Sequence, residues 1–288
     1  MCGLFGFVRA TSGPNPECLA RAVFALGQRA EQRGRDAAGL ALAGPSGCRV
    51  VKATGRFTDL WEPAWHIPLV RRAGVVLGHT RHASQGAADR LDNAAPLAAG
   101  RLVGTVNGDL DAADFQRRFP HLSAPEGETD SERLLLALDA ARGSPRAACG
   151  VLAAVRGPAA LAWVDTDRPD LVCLARGALC PLAVACDRWD NLWWGSSPAW
   201  FRQLDTASGG RHGFHVERVA EGTLLVVAAG EAPGVAAERL FVPTARPGDE
   251  DLTGIWVGLD PLDRLAFERD ARHVVAPGPR VVAAEDAA

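Results

Sequence analysis

The first residues of the chain, Met1-Cys2-Gly3-Leu4-Phe5, include a cysteine that can act as a nucleophile without a distant histidine. If Met1 is removed, Cys2 carries a thiol and a free α-amine, with reference pKa values of about 8.5 and about 8. Near neutral pH an uncharged amine can take the thiol proton, directly or through a water. The apolar run to Val8 predicts a buried strand that would fix this end. On this stretch alone, a core strand that happens to begin with cysteine is an equal alternative.

Polar residues also follow two other apolar stretches. Arg81 follows a strand predicted at Gly74–Thr80, and a guanidinium there can bind a carboxylate with two hydrogen bonds. Asn107-Gly108 follows a strand predicted at Leu102–Val106, where a side-chain amide beside a glycine N–H can form an oxyanion hole. Taken singly, a surface arginine and an Asn-Gly turn are the simpler explanations.

Two further segments place charged residues beside predicted helices. Thr129-Asp130-Ser131-Glu132 is a capping box that predicts a helix to Arg142, and the helix dipole favours a carboxylate at Asp130. That structural role explains Asp130 fully unless a ligand ammonium lies nearby. Arg33-Gly34-Arg35-Asp36 follows a helix predicted at Glu17–Gln32, and an Arg–Asp contact within the turn is its default explanation.

The elements that must position these residues are mainly short strands with a few helices, a pattern typical of sheets covered by helices rather than a doubly wound parallel sheet. Beyond Gly230, repeated prolines interrupt the pattern. We therefore predict one domain over residues 2–230 and a C-terminal extension of unknown role over residues 231–288. Within the extension, Leu262–Asp270 is a candidate helix and residues 283–288 are expected to be frayed.

Composition excludes several classes of function. The formal net charge of −3 leaves no basic field for nucleic acid, and no stretch has the apolar length that spans a bilayer. The seven cysteines are an odd number without CxxC pairs, which argues against a zinc site and a secreted disulfide framework. The first residues lack a basic region typical of a signal peptide. A cytoplasmic location fits best.

Taken together, the motifs are more specific than any one of them. The chain resembles the class II glutamine amidotransferases, the N-terminal-nucleophile type. The resemblance covers about residues 2–227 and rests on five motifs in the order of that family: Met1-Cys2-Gly3-Leu4-Phe5-Gly6, Arg33-Gly34-Arg35-Asp36-Ala37-Ala38-Gly39, Gly78-His79-Thr80-Arg81-His82-Ala83-Ser84-Gln85-Gly86, Asn107-Gly108 and Gly127-Glu128-Thr129-Asp130.

The resemblance implies a four-layer αββα sandwich with Cys2 as nucleophile and its own amine as base. Asn107 and the Gly108 N–H would stabilise the oxyanion. Arg81 would bind the α-carboxylate of L-glutamine, and Asp130 its α-ammonium with help from the Gly108 carbonyl.

Other residues of these motifs would shape the site. Arg33 would brace the loop over the nucleophile, and His82, Ser84 and Gln85 belong to the motif at the substrate. His82 stands where the family usually has Trp or Tyr, Gln85 where His or Thr is common, and Val106 where His usually precedes Asn-Gly. These departures concern how the loop closes over glutamine, and hence how strongly glutamine is preferred to other γ-glutamyl compounds.

The implied reaction is hydrolysis of the glutamine side-chain amide through a cysteine thioester, which needs no metal or organic cofactor. Because the extension is short for a synthase domain, we expect ammonia delivery to a separate synthetase or transferase, with homo-oligomers also compatible. A γ-glutamyl amide hydrolase of the same fold and a non-catalytic partner-binding module are the alternatives. The sequence leaves open the ammonia acceptor, the pathway, the oligomeric state and the role of residues 231–288.

Overall fold

The computed structural model describes residues 1–11, 16–249 and 253–275. It contains two large antiparallel sheets, which the helices cover from outside. The first sheet has the order β11-β9-β10-β1-β4-β2-β3. Its strands are β1 Gly3–Val8, β2 Ala37–Gly44, β3 Gly47–Thr54, β4 Val75–Arg81, β9 Ala183–Cys186, β10 Leu192–Gly195 and β11 His215–Arg218.

The second sheet has the order β13-β12-β8-β7-β6-β5. Its strands are β5 Leu97–Ala99, β6 Leu102–Gly108, β7 Ala159–Asp165, β8 Arg168–Arg176, β12 Thr223–Ala228 and β13 Gly234–Leu240. A short parallel pair joins β14 Thr244–Ala245 to β15 Val274–Val275. The last strand of the second sheet and this pair thus lie beyond residue 230.

The helices fall on the outer faces of the two sheets. They are α1 Pro16–Ala30, α2 Phe57–Leu60, α3 Pro63–Arg72, α4 Ala112–Arg118, α5 Asp130–Ala140, α6 Pro145–Ala154, α7 Pro198–Ala207 and α8 Pro261–Arg269, with 3₁₀ turns at Leu91–Asn93 and Thr253–Trp256. Helices α1, α3 and α7 pack on the first sheet, and α5 and α6 on the second. No helix among the described residues is both long and apolar enough to cross a membrane.

Three apolar layers follow from the alternation of side chains along the strands. Phe5 and Phe7 of β1 face helix α1, whereas Leu4 and Val8 face the second sheet. Val164 of β7 belongs to the same layer between the sheets. This arrangement confirms the predicted four-layer αββα sandwich.

Most elements were predicted, but several were missed, among them α3, where a loop was expected at Pro63 and Pro68, and the short strands β5, β14 and β15. The sequence analysis did not predict α6, although Ser144 and Pro145 give it an N-cap and a first-turn proline. It also missed β13, whose side chains are mostly exposed because this strand forms an edge. The helix predicted at Leu262–Asp270 is present as α8. The fraying expected at residues 283–288 lies outside the described residues.

Candidate active site

Cys2 lies at the start of β1, where the strand enters the first sheet beside β4. Gly3 pairs with Thr80 in that register, so the chain end is fixed next to the end of β4. The Cys2 side chain is buried, and its Sγ accepts a hydrogen bond from the His82 N–H at 3.4 Å and lies 3.6 Å from the His82 carbonyl oxygen. The predicted nucleophile is therefore held against the segment that follows β4.

Asn107, at the end of β6 in the second sheet, contacts the same residue. Its Oδ1 accepts a hydrogen bond from the Cys2 nitrogen at 2.9 Å, and its side chain is fully buried. Its Nδ2 is buried and has no hydrogen-bond partner within the described part of the chain. An unpaired buried donor is costly, so this amide is preorganised to donate to an added acceptor.

Gly108 offers a second donor beside that amide. The N–H of the next residue, Asp109, donates to the Pro158 carbonyl next to β7 at 3.1 Å. Because N–H groups alternate sides along an antiparallel strand, the Gly108 N–H points away from β7. Gly108 also lines the cavity that contains Cys2. The pair predicted as an oxyanion hole thus flanks the nucleophile.

The electrostatic environment of the thiol is mixed. Burial raises the pKa of the Cys2 thiol, whereas the hydrogen bond to His82 and the positive charges of Arg33 and Arg81 lower it. A buried thiol with a raised pKa needs a base to form the thiolate. The main-chain nitrogen of Cys2 belongs to the same residue as the thiol, and it becomes a free α-amine, and hence a candidate base, once Met1 is removed.

A cavity of about 30 Å³ connects Cys2 to Asp130 at the first turn of α5. Asp130 is buried, and its carboxylate accepts hydrogen bonds from the N–H groups of Leu110 at 2.6 Å and Ser131 at 2.8 Å. Burial raises the pKa of Asp130 to about 6. The capping contact itself is made by Thr129, whose hydroxyl accepts from the Glu132 N–H at 3.4 Å, so Asp130 is free to face the cavity.

Arg81 also lines the cavity, but its terminal nitrogens contact the loop that follows β4. They donate to the carbonyls of Gln85 at 2.8 Å, Gly86 at 3.1 Å and Ala87 at 3.0 Å. In this state the guanidinium therefore holds the loop. Binding of a substrate carboxylate would require some of these bonds to be exchanged.

The three other motif residues predicted at the substrate also line the cavity. The His82 side chain is more than half exposed, with its Nδ1 3.8 Å from an Asp36 carboxylate oxygen. Ser84 is exposed, whereas Gln85 is partly buried and donates from Nε2 to Asp109 at 2.7 Å. Gln85 thus ties the loop to the residue that follows Asn107-Gly108.

Arg33 does not line the cavity but contacts the nucleophile from its main chain. Its Nε donates to the Cys2 carbonyl at 2.8 Å. The next residue, Gly34, lies so close to the backbone of Arg81 and His82 that an added Cβ would come within 2.5 Å of it. Only glycine fits there, so the Arg33-Gly34 turn and the end of β4 pack together.

Two residues that the sequence analysis left unassigned support the site. His79 of β4 is buried, and its Nε2 lies 3.1 Å from the carbonyl of Val106, next to Asn107. Burial lowers the pKa of His79 to about 4, so the ring is neutral at pH 7 and donates to that carbonyl. Asn93 bonds both the Ala87 carbonyl and the Glu128 N–H, which joins the loop to the start of α5. For His79 the available signal was a polar residue inside an apolar strand, whereas Asn93 lies in a polar loop and gave no such signal.

Within residues 1–11, 16–249 and 253–275, no group of three or more His, Cys, Asp and Glu side chains is arranged to hold a metal ion. The polar groups around Cys2 are instead hydrogen-bond donors and single charges, which suit acyl transfer to a thiol.

Comparison with known proteins agrees with this chemistry. The chain is 32% identical over 188 residues to a glutamine–fructose-6-phosphate aminotransferase of Mycolicibacterium paratuberculosis, which covers 61% of this chain and 29% of that protein. It is 29% identical over 236 residues to the same-named protein of Symbiobacterium thermophilum, covering 80% and 37%. The chain thus spans about a third of the length of these relatives. No protein-family model matches it.

Solved structures share the fold at low identity. A glutamine phosphoribosylpyrophosphate amidotransferase of Bacillus subtilis matches 86% of this chain and 52% of its own, with a TM-score of 0.64 and 17% identity. A glutamine aminotransferase class-II domain protein from Silicibacter pomeroyi matches 84% of this chain and all of its own, with a TM-score of 0.51 and 17% identity. The second protein is spanned completely by the shared fold.

Proposed function

Since the chain belongs to the class II glutamine amidotransferases, the N-terminal-nucleophile type, we propose that it hydrolyses the side-chain amide of L-glutamine and supplies the ammonia to a separate acceptor enzyme. The observation that carries the proposal is the position of Asn107. One atom of its buried amide accepts a hydrogen bond from the Cys2 nitrogen, and the other is a buried donor without a partner in the described residues. This is the arrangement that an attacked amide carbonyl needs.

The reaction begins when the free amine of Cys2 takes the thiol proton. The thiolate attacks the side-chain carbonyl carbon, and the carbonyl oxygen becomes an oxyanion that accepts from Asn107 Nδ2 and the Gly108 N–H. The protonated amine then gives its proton to the leaving nitrogen, so ammonia departs and a γ-glutamyl thioester remains. Water attacks the thioester with the same amine as base, which releases glutamate and restores the thiol.

Charged groups at the two ends of the cavity support recognition of an amino acid. Asp130 offers a buried carboxylate to an α-ammonium, and Arg81 offers a guanidinium to an α-carboxylate. His82, Ser84 and Gln85 line the same cavity from the loop that follows β4, so they would act on how this loop closes over glutamine. Because two charges are matched at fixed separation, the site favours an α-amino acid over a simple amide.

Delivery of ammonia to a separate acceptor is supported by the class II domain protein that the shared fold spans completely. We place the glutaminase domain at residues 2–230 and assign residues 231–288 a part in the docking surface for a synthetase or transferase. The described part of that segment contributes an edge strand and an exposed apolar residue, Leu262, to the surface. A cytoplasmic location accords with seven cysteines that are unpaired in the structure.

The test is release of glutamate and ammonia from glutamine by wild type and Cys2→Ala, with the mature N-terminus identified by mass spectrometry. Cys180→Ala is the matched control, because Cys180, like Cys2, is a buried cysteine, and its side chain makes no hydrogen bond in the described structure. We expect Cys2→Ala to abolish turnover and Cys180→Ala to retain it. Retention of Met1 in an active wild type would refute the mechanism.

Two other outcomes would replace this function. Faster turnover of γ-glutamyl conjugates than of glutamine would identify a γ-glutamyl amide hydrolase of the same fold. Absence of both turnover and labelling of Cys2 by a glutamine-analogue electrophile would identify a non-catalytic partner-binding module, which has no need of a reactive thiol.

A further inference from the structure

The buried guanidinium of Arg33 joins the nucleophile to a segment far away in the sequence. Besides the Cys2 carbonyl at 2.8 Å, it donates to the carbonyls of Ile255 at 3.0 Å and Val257 at 2.5 Å. Arg33 is 2% exposed, and no acidic side chain within the described ranges forms an ion pair with it. Main-chain carbonyls therefore balance its charge, and two of them lie beyond residue 250.

The segment that supplies these carbonyls, residues 253–258, is firmly attached to the sandwich. Ile255 is 1% exposed and packs in an apolar cluster with Leu179 and Ala245, against which Met1 also rests. Helix α8 follows, and its Asp263 accepts a hydrogen bond from the Ala199 N–H at the start of α7 at 2.9 Å. These contacts fix the position of the segment, and with it the position of the two carbonyls that bind Arg33.

A second contact in the same segment restricts the aliphatic part of the Arg33 side chain. Gly258 has a φ of +75°, and a Cβ placed there would lie 3.0 Å from Cγ of Arg33 and 3.3 Å from Cβ of Gln32. Such contacts are tighter than ordinary packing, so any side chain at residue 258 pushes on Arg33. The backbone of the segment thus contacts Arg33 at two places, at its guanidinium group and at the aliphatic part of its side chain.

We propose that residues 253–258 are a positioning segment for the nucleophile, acting through Arg33 on the Cys2 main chain. Held in this way, Arg33 fixes the carbonyl of Cys2 and keeps its positive charge beside the thiol, which favours the thiolate. No residue of the segment lines the cavity. This inference rests on the proposed glutaminase function for its kinetic consequence, and it assigns to the extension a role at the reaction centre itself.

The experiment uses Gly258→Ala in the full chain. Two glycines provide matched controls, since a Cβ at Gly248, with a φ of +88°, or at Gly254, on the same segment, meets nothing within 4 Å. Gly248→Ala reproduces the backbone strain, and Gly254→Ala reproduces the added methyl group. Glutamine hydrolysis gives kcat and KM, and alkylation of Cys2 by iodoacetamide, located by peptide mass spectrometry, reports on the thiol without glutamine.

For Gly258→Ala we expect kcat and the rate of Cys2 alkylation to fall by about 10- to 100-fold, because small displacements of a nucleophile are costly. KM should stay within about twofold, since the segment does not contact the substrate site. Both control variants should match wild type. In an Arg33→Ala background, Gly258→Ala should have no further effect, because the side chain that it displaces is gone.

Three results would overturn the inference: an equal loss in Gly248→Ala, a loss expressed in KM alone, or a full effect of Gly258→Ala without Arg33. If Gly258→Ala does not fold, Ile255→Val carries the same test, since it loosens the cluster beneath one of the two carbonyls. A wild type that is alkylated at Cys2 but does not hydrolyse glutamine would refute the proposed function. The alkylation rates would still decide the positioning role.

Discussion

The substitution Asp130→Asn distinguishes two effects of the buried Asp130 carboxylate: its destabilisation of the folded protein and its proposed binding of the α-ammonium of glutamine. Burial raises the pKa of Asp130 from 3.8 to about 6, so at pH 7 the folded protein keeps an ionised group in surroundings that disfavour it. At 1.36 kcal/mol per pKa unit, the shift corresponds to about 3 kcal/mol of unfolding free energy. Because the folded-state pKa is the higher one, this stability is fully present below pH 3.8 and is lost as pH rises through about 6.

The measurement is urea unfolding of wild type and Asp130→Asn between pH 4 and pH 7. Asparagine does not titrate, so the stability of wild type relative to the variant should fall by about 2.4 kcal/mol over that range, since the unfolded carboxyl is already partly ionised at pH 4. The variant also weakens a hydrogen bond from Leu110 or Ser131, but that loss is the same at every pH and cancels in the comparison. Parallel stability curves would refute the argument.

The proposed binding of the α-ammonium by the Asp130 carboxylate is tested by the kinetics of glutamine hydrolysis. With glutamine, the variant should lose about 10- to 150-fold in kcat/KM at pH 8, the value of a charged hydrogen bond to the α-ammonium. Wild type should show an acidic limb near pH 6 that Asp130→Asn lacks, while the limb from the Cys2 amine stays in both. With 4-carbamoylbutanoate, which has no α-amine, the two proteins should be alike. A pH limb that survives the substitution would contradict the assignment.

Three further predictions concern other parts of the molecule. Asn107→Ala should lower kcat by about 10²- to 10³-fold through loss of an oxyanion donor, whereas Thr105→Val, a buried residue of the same strand, should leave kcat unchanged. Gln85→Ala should raise KM for glutamine with little change in kcat, because its 2.7 Å bond to the neighbouring loop orders the entrance; an unchanged KM would remove that role. Glu221→Gln should cost about 3–5 kcal/mol in urea unfolding, because it leaves the fully buried Arg176 without its counter-charge, while kcat of the folded protein is retained.

The parts of the site that the sequence predicted are those that local rules specify. Asn107 and Arg81 stand where apolar strands end, and the capping box places Asp130 at the start of a helix. The apolar run to Val8 likewise predicts that β1 is a buried strand, and alternation divides its side chains between the helical layer and the second sheet. Family resemblance supplied what these rules lack, namely that the three elements meet at Cys2. Their meeting depends on sheet order, which periodicity does not encode.

The parts that could not be predicted involve main-chain partners distant in sequence. Carbonyls of residues 255 and 257 bind Arg33, and carbonyls of the loop after β4 bind Arg81. Every residue has a carbonyl, so the sequence carries no sign of which one is used. The loop contacts of Arg81 also depend on the state of the site, since a substrate carboxylate would compete for the same donors. The assignment of residues 2–230 and 231–288 as separate units stays a prediction.

The contact between Cys2 and Asn107 bridges the two sheets, since Cys2 directly precedes β1 of the first sheet and Asn107 belongs to β6 of the second. The apolar layer between the sheets therefore sets the distance between Cys2 and Asn107, across which the proposed reaction would take place. Stabilising substitutions are therefore best placed in the outer helical layers, where repacking does not change the distance between the two sheets. Substitutions that enlarge or shrink the side chains of this apolar layer would change that distance. They would therefore slow the proposed reaction even where no altered atom contacts glutamine.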